Sequence, residues 1–323
     1  MTRRAAIDVG TNSVRLLVAD VAHPPGSALP VSPASRRPAS AADSALRPVL
    51  RHITITRLGD GLEPGGAIRP DAAERTAAVV RAYLRRAAAT GAAPPVVAGT
   101  HALRVARNPE ALLGKVGAPV RVLTAEEEAR LGFRGALAGL PAARRASRVL
   151  VVDIGGGSVE VAWGSSRDIE GSRSLPLGCV VLTRMFLAHD PPLPAEVAAL
   201  RAHVARALDP VLAPLRRLRS RLVGVGGTIT AMAALAQRLS PYDPDRVHGY
   251  RLPASRARAL TASLLAQPLA ARRRLPGLAP ERADVIGAGA LVLEHLLGRL
   301  GRRSIVVSEA DLLWALVLEP LPG

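Results

Sequence analysis

The feature that most constrains this chain is a repeat. Ile7-Asp8-Val9-Gly10-Thr11-Asn12-Ser13-Val14 returns as Val152-Asp153-Ile154-Gly155-Gly156-Gly157-Ser158-Val159, an offset of 152 minus 7, or 145 residues. Asp, Gly, Ser and Val coincide, and apolar residues match between them. Each copy lies between apolar runs, Ala5 to Val9 with Val14 to Asp20, and Arg148 to Asp153 with Val159 to Gly164. Two such runs around a Gly-containing turn predict a β-hairpin. A period this long predicts two related domains and not a solenoid of short units. The 323 residues are enough for two buried cores. The division is placed at 1–124 and 125–323.

The rest of the chain alternates strand and helix. His52 to Leu58 reads as a third strand, and Pro70 to Thr90 as a helix opened by Asp71 and closed near Gly91. Val96 to Gly99 and Val120 to Thr124 read as short strands, with a helix from Asn108 between them. A helix opens at Ala125-Glu126-Glu127-Glu128, whose acids suit the positive end of the helix dipole. Further helices are expected at Ala195 to Leu208 and Ile229 to Leu239, the latter after a strand at Leu222 to Val225, with alternating helices to the C-terminus. The pattern is that of an α/β protein. Residues 23–48, rich in Pro, Ser, Ala and Arg, read as a surface loop.

Composition narrows the class. Every long apolar run is interrupted, as Glu294 interrupts Ala283 to Leu300, so no membrane span is expected. Asp8, Asn12 and Arg15 break any signal-peptide core at the start, and a cytoplasmic protein is expected. Cys179 is the lone cysteine, which excludes an intramolecular disulfide and a multi-cysteine metal site. Formal net charge is +17, nearly all of it arginine, since Lys115 is the only lysine. Such charge suits a polyanionic ligand and also suits G+C-biased coding. Nucleic acid is not expected as a partner: there is no zinc-finger spacing and no interleaved aromatic series.

The hairpins carry the chemistry. An Asp at a strand end can hold a hydrated cation, while Gly lets backbone N–H groups approach phosphate oxygens. Ser13 and Ser158 add hydroxyls, and a third glycine loop, Gly226-Gly227-Thr228, follows the strand at Leu222 to Val225. One Asp-x-Gly turn alone is an ordinary hairpin signal. Two copies and a third loop point to phosphate. None has the spacing of a P-loop or of a dinucleotide-binding turn.

The ordered set Asp8-Val-Gly-Thr-Asn-Ser-Val-Arg15, Gly99-Thr-His-Ala-Leu-Arg104, Glu127-Glu-Ala-Arg130, Asp153-Ile-Gly-Gly-Gly-Ser-Val-Glu160, Gly224-Val-Gly-Gly-Thr228 and Pro241-Tyr-Asp-Pro-Asp-Arg-Val-His-Gly249 spans almost the whole chain. It resembles the phosphate-binding machinery of the actin, Hsp70 and sugar-kinase superfamily, and within it the exopolyphosphatase and guanosine pentaphosphate phosphohydrolase (Ppx/GppA) family in its short form. The resemblance implies two ribonuclease-H-like domains facing a central cleft, and frequently a homodimer. It implies hydrolysis of a terminal phosphate, with inorganic polyphosphate or guanosine pentaphosphate as substrate. By the same resemblance Glu128, just before Ala129-Arg130, is the catalytic base. Asp153 and Glu160 match the metal-associated acidic pair, and Asp8 takes the equivalent place in the first hairpin. The metal is then Mg2+ or Mn2+. Arg15 and Arg104 stand where the family presents guanidinium groups to phosphate. Gly10, Thr11, Asn12, Ser13, Gly155, Gly156, Gly157, Ser158, Gly226, Gly227 and Thr228 complete the phosphate-binding set. His101 and His248 lack metal-ligand spacing and are expected to be structural or supporting.

One segment departs from the family pattern. Many relatives carry Ser-Asp followed by Gly-Leu-Arg-Glu-Gly, where this chain has Ser308-Glu309-Ala310-Asp311-Leu312-Leu313-Trp314-Ala315, without the Arg, the Glu and the final Gly. This weakens guanosine pentaphosphate as substrate more than it weakens hydrolysis. The expectation is an exopolyphosphatase; a guanosine pentaphosphate hydrolase, a non-catalytic sensor of either anion and, more distantly, a sugar kinase are the alternatives.

Overall fold

A computed structural model describes residues 1–22, 46–62, 65–140, 143, 146–165 and 169–319. They divide into two compact units, one within Met1–Thr124 and Leu312–Gly323, the other within Ala125–Asp311.

In the first unit the runs on either side of Gly10 form β1 (Thr2–Val9) and β2 (Ser13–Val21), antiparallel, with Asp8 opposite Arg15. Strand β3 (Leu46–Ile55) pairs with β2. After the helix α1 (Pro70–Ala89), β4 (Val96–Gly99) returns parallel to β1. After α2 (His101–Val105) and α3 (Glu110–Val116), β5 (Val120–Val122) joins parallel to β4. The order is β3-β2-β1-β4-β5. Ala73, Ala77, Val80, Tyr83 and Ala87, at helical spacing along α1, bury one face of the sheet together with Ile7, Val9, Leu16 and Val18.

In the second unit α4 (Ala125–Gly139) precedes a meander of β6 (Val149–Ile154), β7 (Val159–Gly164) and β8 (Ile169–Leu175). The chain continues through α5 (Cys179–Phe186) and α6 (Pro194–Leu215) into β9 (Arg221–Val225), parallel to β6, and then α7 (Gly227–Gln237). Short α8 (Pro244–Val247) and β10 (Arg251–Pro253) lead to α9 (Ala254–Ala266), α10 (Leu269–Arg272), α11 (Ile286–Arg299) and β11 (Ser304–Val307). The order is β10-β11-β9-β6-β7-β8. Counted within each unit, the first sheet runs third, second, first, fourth, fifth, and β8-β7-β6-β9-β11 repeats that series with β10 added. The expected α/β class with two related sheets is the observed one. Helices cover both faces of the second sheet: Phe133, Ala136 and Leu137 of α4 pack with Val149, Val151 and Val223, while α6, α7 and α11 pack on Leu150, Val152 and Ile154. A strand covered on both faces reads as an almost unbroken apolar run, as β6 does.

The last helix, α12 (Leu312–Leu318), belongs to the first unit, whereas the division at 1–124 and 125–323 puts it in the second. It packs on β1 and β2, burying Leu312 to Val317. Arg51 lies over the Trp314 ring at 5.7 Å, and Arg121 pairs with Glu319 at 3.0 Å.

Other boundaries shift for physical reasons. Strand β3 begins at Leu46, not His52, and contains Pro48; it is an edge strand, where a missing N–H is tolerated. Of the loop expected at 23–48, residues 23–45 lie outside the described residues. Helix α6 passes Pro210 and Pro214 to Leu215 instead of ending near Leu208. Its buried stripe Leu200, Val204, Leu208, Leu212 and Leu215 holds the helix through interruptions that propensity alone would not carry. Strands β8, β10 and β11 are not among the strands expected from sequence. β8 is polar in sequence and part-exposed, and β10 has three residues, so neither shows a strong period. Among the described residues no helix is long and apolar enough to cross a membrane.

Candidate active site

Both hairpins close in the same way. Gly10 N–H donates to Ser13 O at 3.0 Å in the first, and Gly155 N–H donates to Ser158 O at 3.0 Å in the second. In each, a separate segment holds the turn from its carbonyl side. Thr56 and Arg57 N–H groups donate to Asn12 O, and Gly59 N–H donates to Thr11 O at 2.9 Å. In the second unit Gly178, Cys179 and Val180 N–H groups donate to the carbonyls of Gly157, Gly155 and Gly156. The approach is so close that a Cβ at Gly59 would meet Thr11 Cγ2 at 2.3 Å, and one at Gly178 would meet Gly156 O at 2.2 Å. With the carbonyls tied back, the opposite edge of each turn presents backbone N–H groups, the arrangement that binds anions. Asn12 adds a buried Nδ2 with no hydrogen-bond partner among the described residues.

The side chains differ. Across the first hairpin Arg15 donates from Nε and NH2 to Asp8 Oδ2, at 2.9 and 2.7 Å, so the acid expected to hold a cation and the guanidinium expected on phosphate meet each other. Beside them Thr100 N–H donates to Val9 O, which places the start of α2 next to the Gly10 turn. Arg104, in the last turn of α2, donates to Leu123 O at 2.9 Å. Burial, helped by the Arg104 charge, pushes His101 down to about 4, so its ring is neutral.

Across the second hairpin the equivalent pair is Asp153 and Glu160, two acids. Directly opposed residues of a sheet have their Cβ atoms on one face within roughly 5 Å. Glu160 is buried, and Ser174 Oγ donates to its Oε1 at 2.7 Å. Burial first, then the Glu128 charge, then the Asp153 charge push Glu160 well above the usual carboxylate range, while hydrogen bonds from Ser158 and Ser174 act against them. Glu128 stands half-buried in the first turn of α4, with Glu126 exposed and Glu127 half-buried. The far end of α4 is held by His248, whose Nε2 donates to Gly139 O at 2.7 Å while its Nδ1 accepts from Glu309 N–H. His248 is thus a positioning residue for this helix.

The third loop completes the second unit's site. β9 runs beside β6 with Val225 opposite Asp153, so Gly226 reaches the Asp153 carboxylate. Gly226 has φ +87°, and a Cβ there would meet Asp153 Oδ1 at 2.0 Å, so both conformation and space require glycine. Gly227 and Thr228 open α7, an eleven-residue helix whose N-terminus favours anions. The Arg282 guanidinium lies against Gly227, and its charge also bears on Cys179 and Tyr242. Sequence reasoning missed Arg282, which sits in a short turn at Pro280–Arg282 with no motif around it. Cys179 is buried and burial raises its thiol, consistent with packing.

Glu128, Asp153, Glu160, the Gly155–Ser158 turn and the Gly226–Thr228 loop are therefore brought together in one unit. The model of the Ppx/GppA phosphatase family matches residues 39–316 of this chain. The chain belongs to the Ppx/GppA phosphatase family. It is 36% identical to Exopolyphosphatase 2 of Mycobacterium tuberculosis, over 98% of each protein. Among solved structures, an exopolyphosphatase-like protein superposes with a TM-score of 0.84 at 29% identity, covering 98% of each chain. The Aquifex aeolicus member of the Ppx/GppA family gives 0.77 at 29% identity, covering 98% of this chain and 96% of its own. Membership supports a phosphatase of the hydrolase class.

Whether the Ppx/GppA residues suit a divalent cation turns on the donor set. Asp153 and Glu160 are hard oxygen donors on one face of a hairpin, and burial, then the charges of Glu128 and Asp153, raise Glu160, an electrostatic strain that a cation would relieve. Among the described residues no group of three or more His, Cys, Asp or Glu is gathered closely enough to form a ligand shell. Two carboxylates on one hairpin face are the donor set that would suit an ion binding through one or two carboxylates and keeping several waters. Asp8, engaged by Arg15, fits less well.

Proposed function

We propose that this protein is an exopolyphosphatase, removing the terminal phosphate of inorganic polyphosphate by in-line attack of water. The observation that carries the reading is the convergence on buried Glu160, which lies across the hairpin from Asp153 and feels the charge of Glu128. It sets a helix-borne carboxylate beside a paired-acid hairpin. Glu128 is the general base that orients and deprotonates the water. The N–H groups of Gly156, Gly157 and Ser158 and of Gly226–Thr228 hold phosphate oxygens, and Arg282 adds a guanidinium suited to them. Asp153 and Glu160 would hold the divalent cation, which supplies neutralisation of phosphate charge when bound. Phosphoryl transfer needs little more than this positioning and charge stabilisation.

Polyphosphate is favoured over guanosine pentaphosphate by the C-terminal segment. Leu313, Trp314 and Ala315 are buried in α12, so the apolar replacements for Arg, Glu and Gly serve packing. The test is phosphate release from polyphosphates of several lengths and from guanosine pentaphosphate, with Mg2+, with Mn2+ and after chelation. Release from polyphosphate that stops on chelation is expected. A higher kcat/KM for guanosine pentaphosphate than for every polyphosphate would overturn the substrate, and full activity after chelation would overturn the cation.

A further inference from the structure

The second sheet has another end. Strands β6, β9 and β11 are parallel, and the candidate active site lies at their C-terminal ends. At their N-terminal ends is an open pocket of about 550 Å³, lined by Arg148, Arg219, Arg221, Arg251, Arg302 and Arg303 among others. Arginine supplies six of its twelve described lining residues, against 42 of 323 in the chain, so composition alone does not account for the cluster.

Charge in the pocket is barely compensated. Arg148 pairs with Glu170 at 3.0 Å. Arg302 donates from NH2 to Leu218 O and Ser220 Oγ, which fixes it, while its buried Nε has no partner among the described residues. Arg251 reaches Ser304 Oγ at 3.3 Å. The side chains of Arg219, Arg221 and Arg303 have no hydrogen-bond or ion-pair partner among the described residues. Ser147, Ser220 and Ser304 add hydroxyls. Guanidinium forks with hydroxyls between them match phosphate oxygens. Among the described residues the lining has no aromatic side chain on which a base could stack, and no Asn, Gln, Asp or Glu to read a base edge, so it suits an inorganic phosphate chain better than a nucleic acid.

We propose that this arginine pocket is a second polyphosphate-binding site, holding a distal stretch of the chain; it takes its substrate class from the reading above. From Arg148 to Asp153 is five residues of strand, or about 16 Å. A chain of a few phosphates therefore engages one site, and a long chain both.

The experiment compares wild type with Arg219→Gln/Arg221→Gln/Arg303→Gln and with a control of equal charge, Arg85→Gln/Arg256→Gln/Arg258→Gln. Equilibrium binding and phosphate release are measured on long polyphosphate and on tripolyphosphate, with circular dichroism to confirm folding. The pocket variant should bind long chains about tenfold more weakly, with a shallower salt dependence. Its release of phosphate from tripolyphosphate should be unchanged, and the control should match wild type. Long-chain affinity within about twofold of wild type would overturn the pocket while leaving hydrolysis standing. Loss of long-chain binding in the variant, with no phosphate released by wild type, would support the pocket and overturn the hydrolase reading. Loss of single-stranded nucleic acid binding in place of polyphosphate binding would overturn the occupant.

Discussion

The two hairpins share a backbone and differ in one cross-strand partner. Position 15 is arginine and position 160, its equivalent 145 residues on, is glutamate. The first hairpin therefore closes on an ion pair, Asp8 with Arg15 at 2.7 Å, and the second on two acids that a third, Glu128, crowds further. A pair of opposite charges is satisfied within the protein. A cluster of like charges needs something from outside it, which suits a site for a cation and a reacting phosphate. The two copies of the turn differ there by a single change of charge, which under the proposed function separates a supporting copy from a reactive one.

The largest effect that could break this comparison is at Glu128. Glu128→Gln keeps the shape and removes the base, so the rate of phosphate release should fall roughly a hundredfold to ten-thousandfold. Polyphosphate binding should be largely retained. Near-normal turnover by folded mutant would remove the reactive role from the acidic hairpin.

Next in size is Arg15→Gln, which leaves the buried Asp8 carboxylate without its guanidinium. Loss of one partner of a buried pair costs about 3 kcal/mol, read as a lower denaturation midpoint in urea. Adding Asp8→Asn should recover much of that. A cost below about 1 kcal/mol would class the pair with ordinary surface ion pairs.

Smallest is Glu160→Gln, where the sign reverses. Glu160 is raised when folded, so the folded state holds its proton longer than the unfolded chain. Its contribution is fully present below about pH 4.3 and is lost as pH rises towards the folded value. In chelator the wild type should lose stability with rising pH across that window, at up to about 1.4 kcal/mol per pH unit. Glu160→Gln should flatten that slope. An equal slope in both proteins would refute the upward shift of Glu160 by burial and neighbouring acids.

The backbone of both hairpins could be read from Asp, Gly and Ser alone, because a tight turn between apolar runs is a local matter. So could the acid opening of α4. The segments that hold the turns could not. Gly59 and Gly178 are not related by the repeat, and their role comes from close approach across the fold. Arg282 reaches Gly227 from 55 residues away (282 minus 227), and one arginine among 42 carries no local mark. The pairing of Asp8 with Arg15 was hidden for another reason. Residue type alone points each of them to a ligand, and only the strand register sets them opposite one another.

The placement of α12 has a consequence for how the protein is made. A ribosome delivers the chain from its N-terminus, and domains tend to fold as they emerge. Ala125–Asp311 is one uninterrupted stretch and is complete once Asp311 is out. The first unit starts earlier and ends later: β1 and β2 wait for a helix that is made only after Asp311. Of these two units the one that begins first is thus the one that finishes later, and until then its apolar sheet face must be kept from other chains.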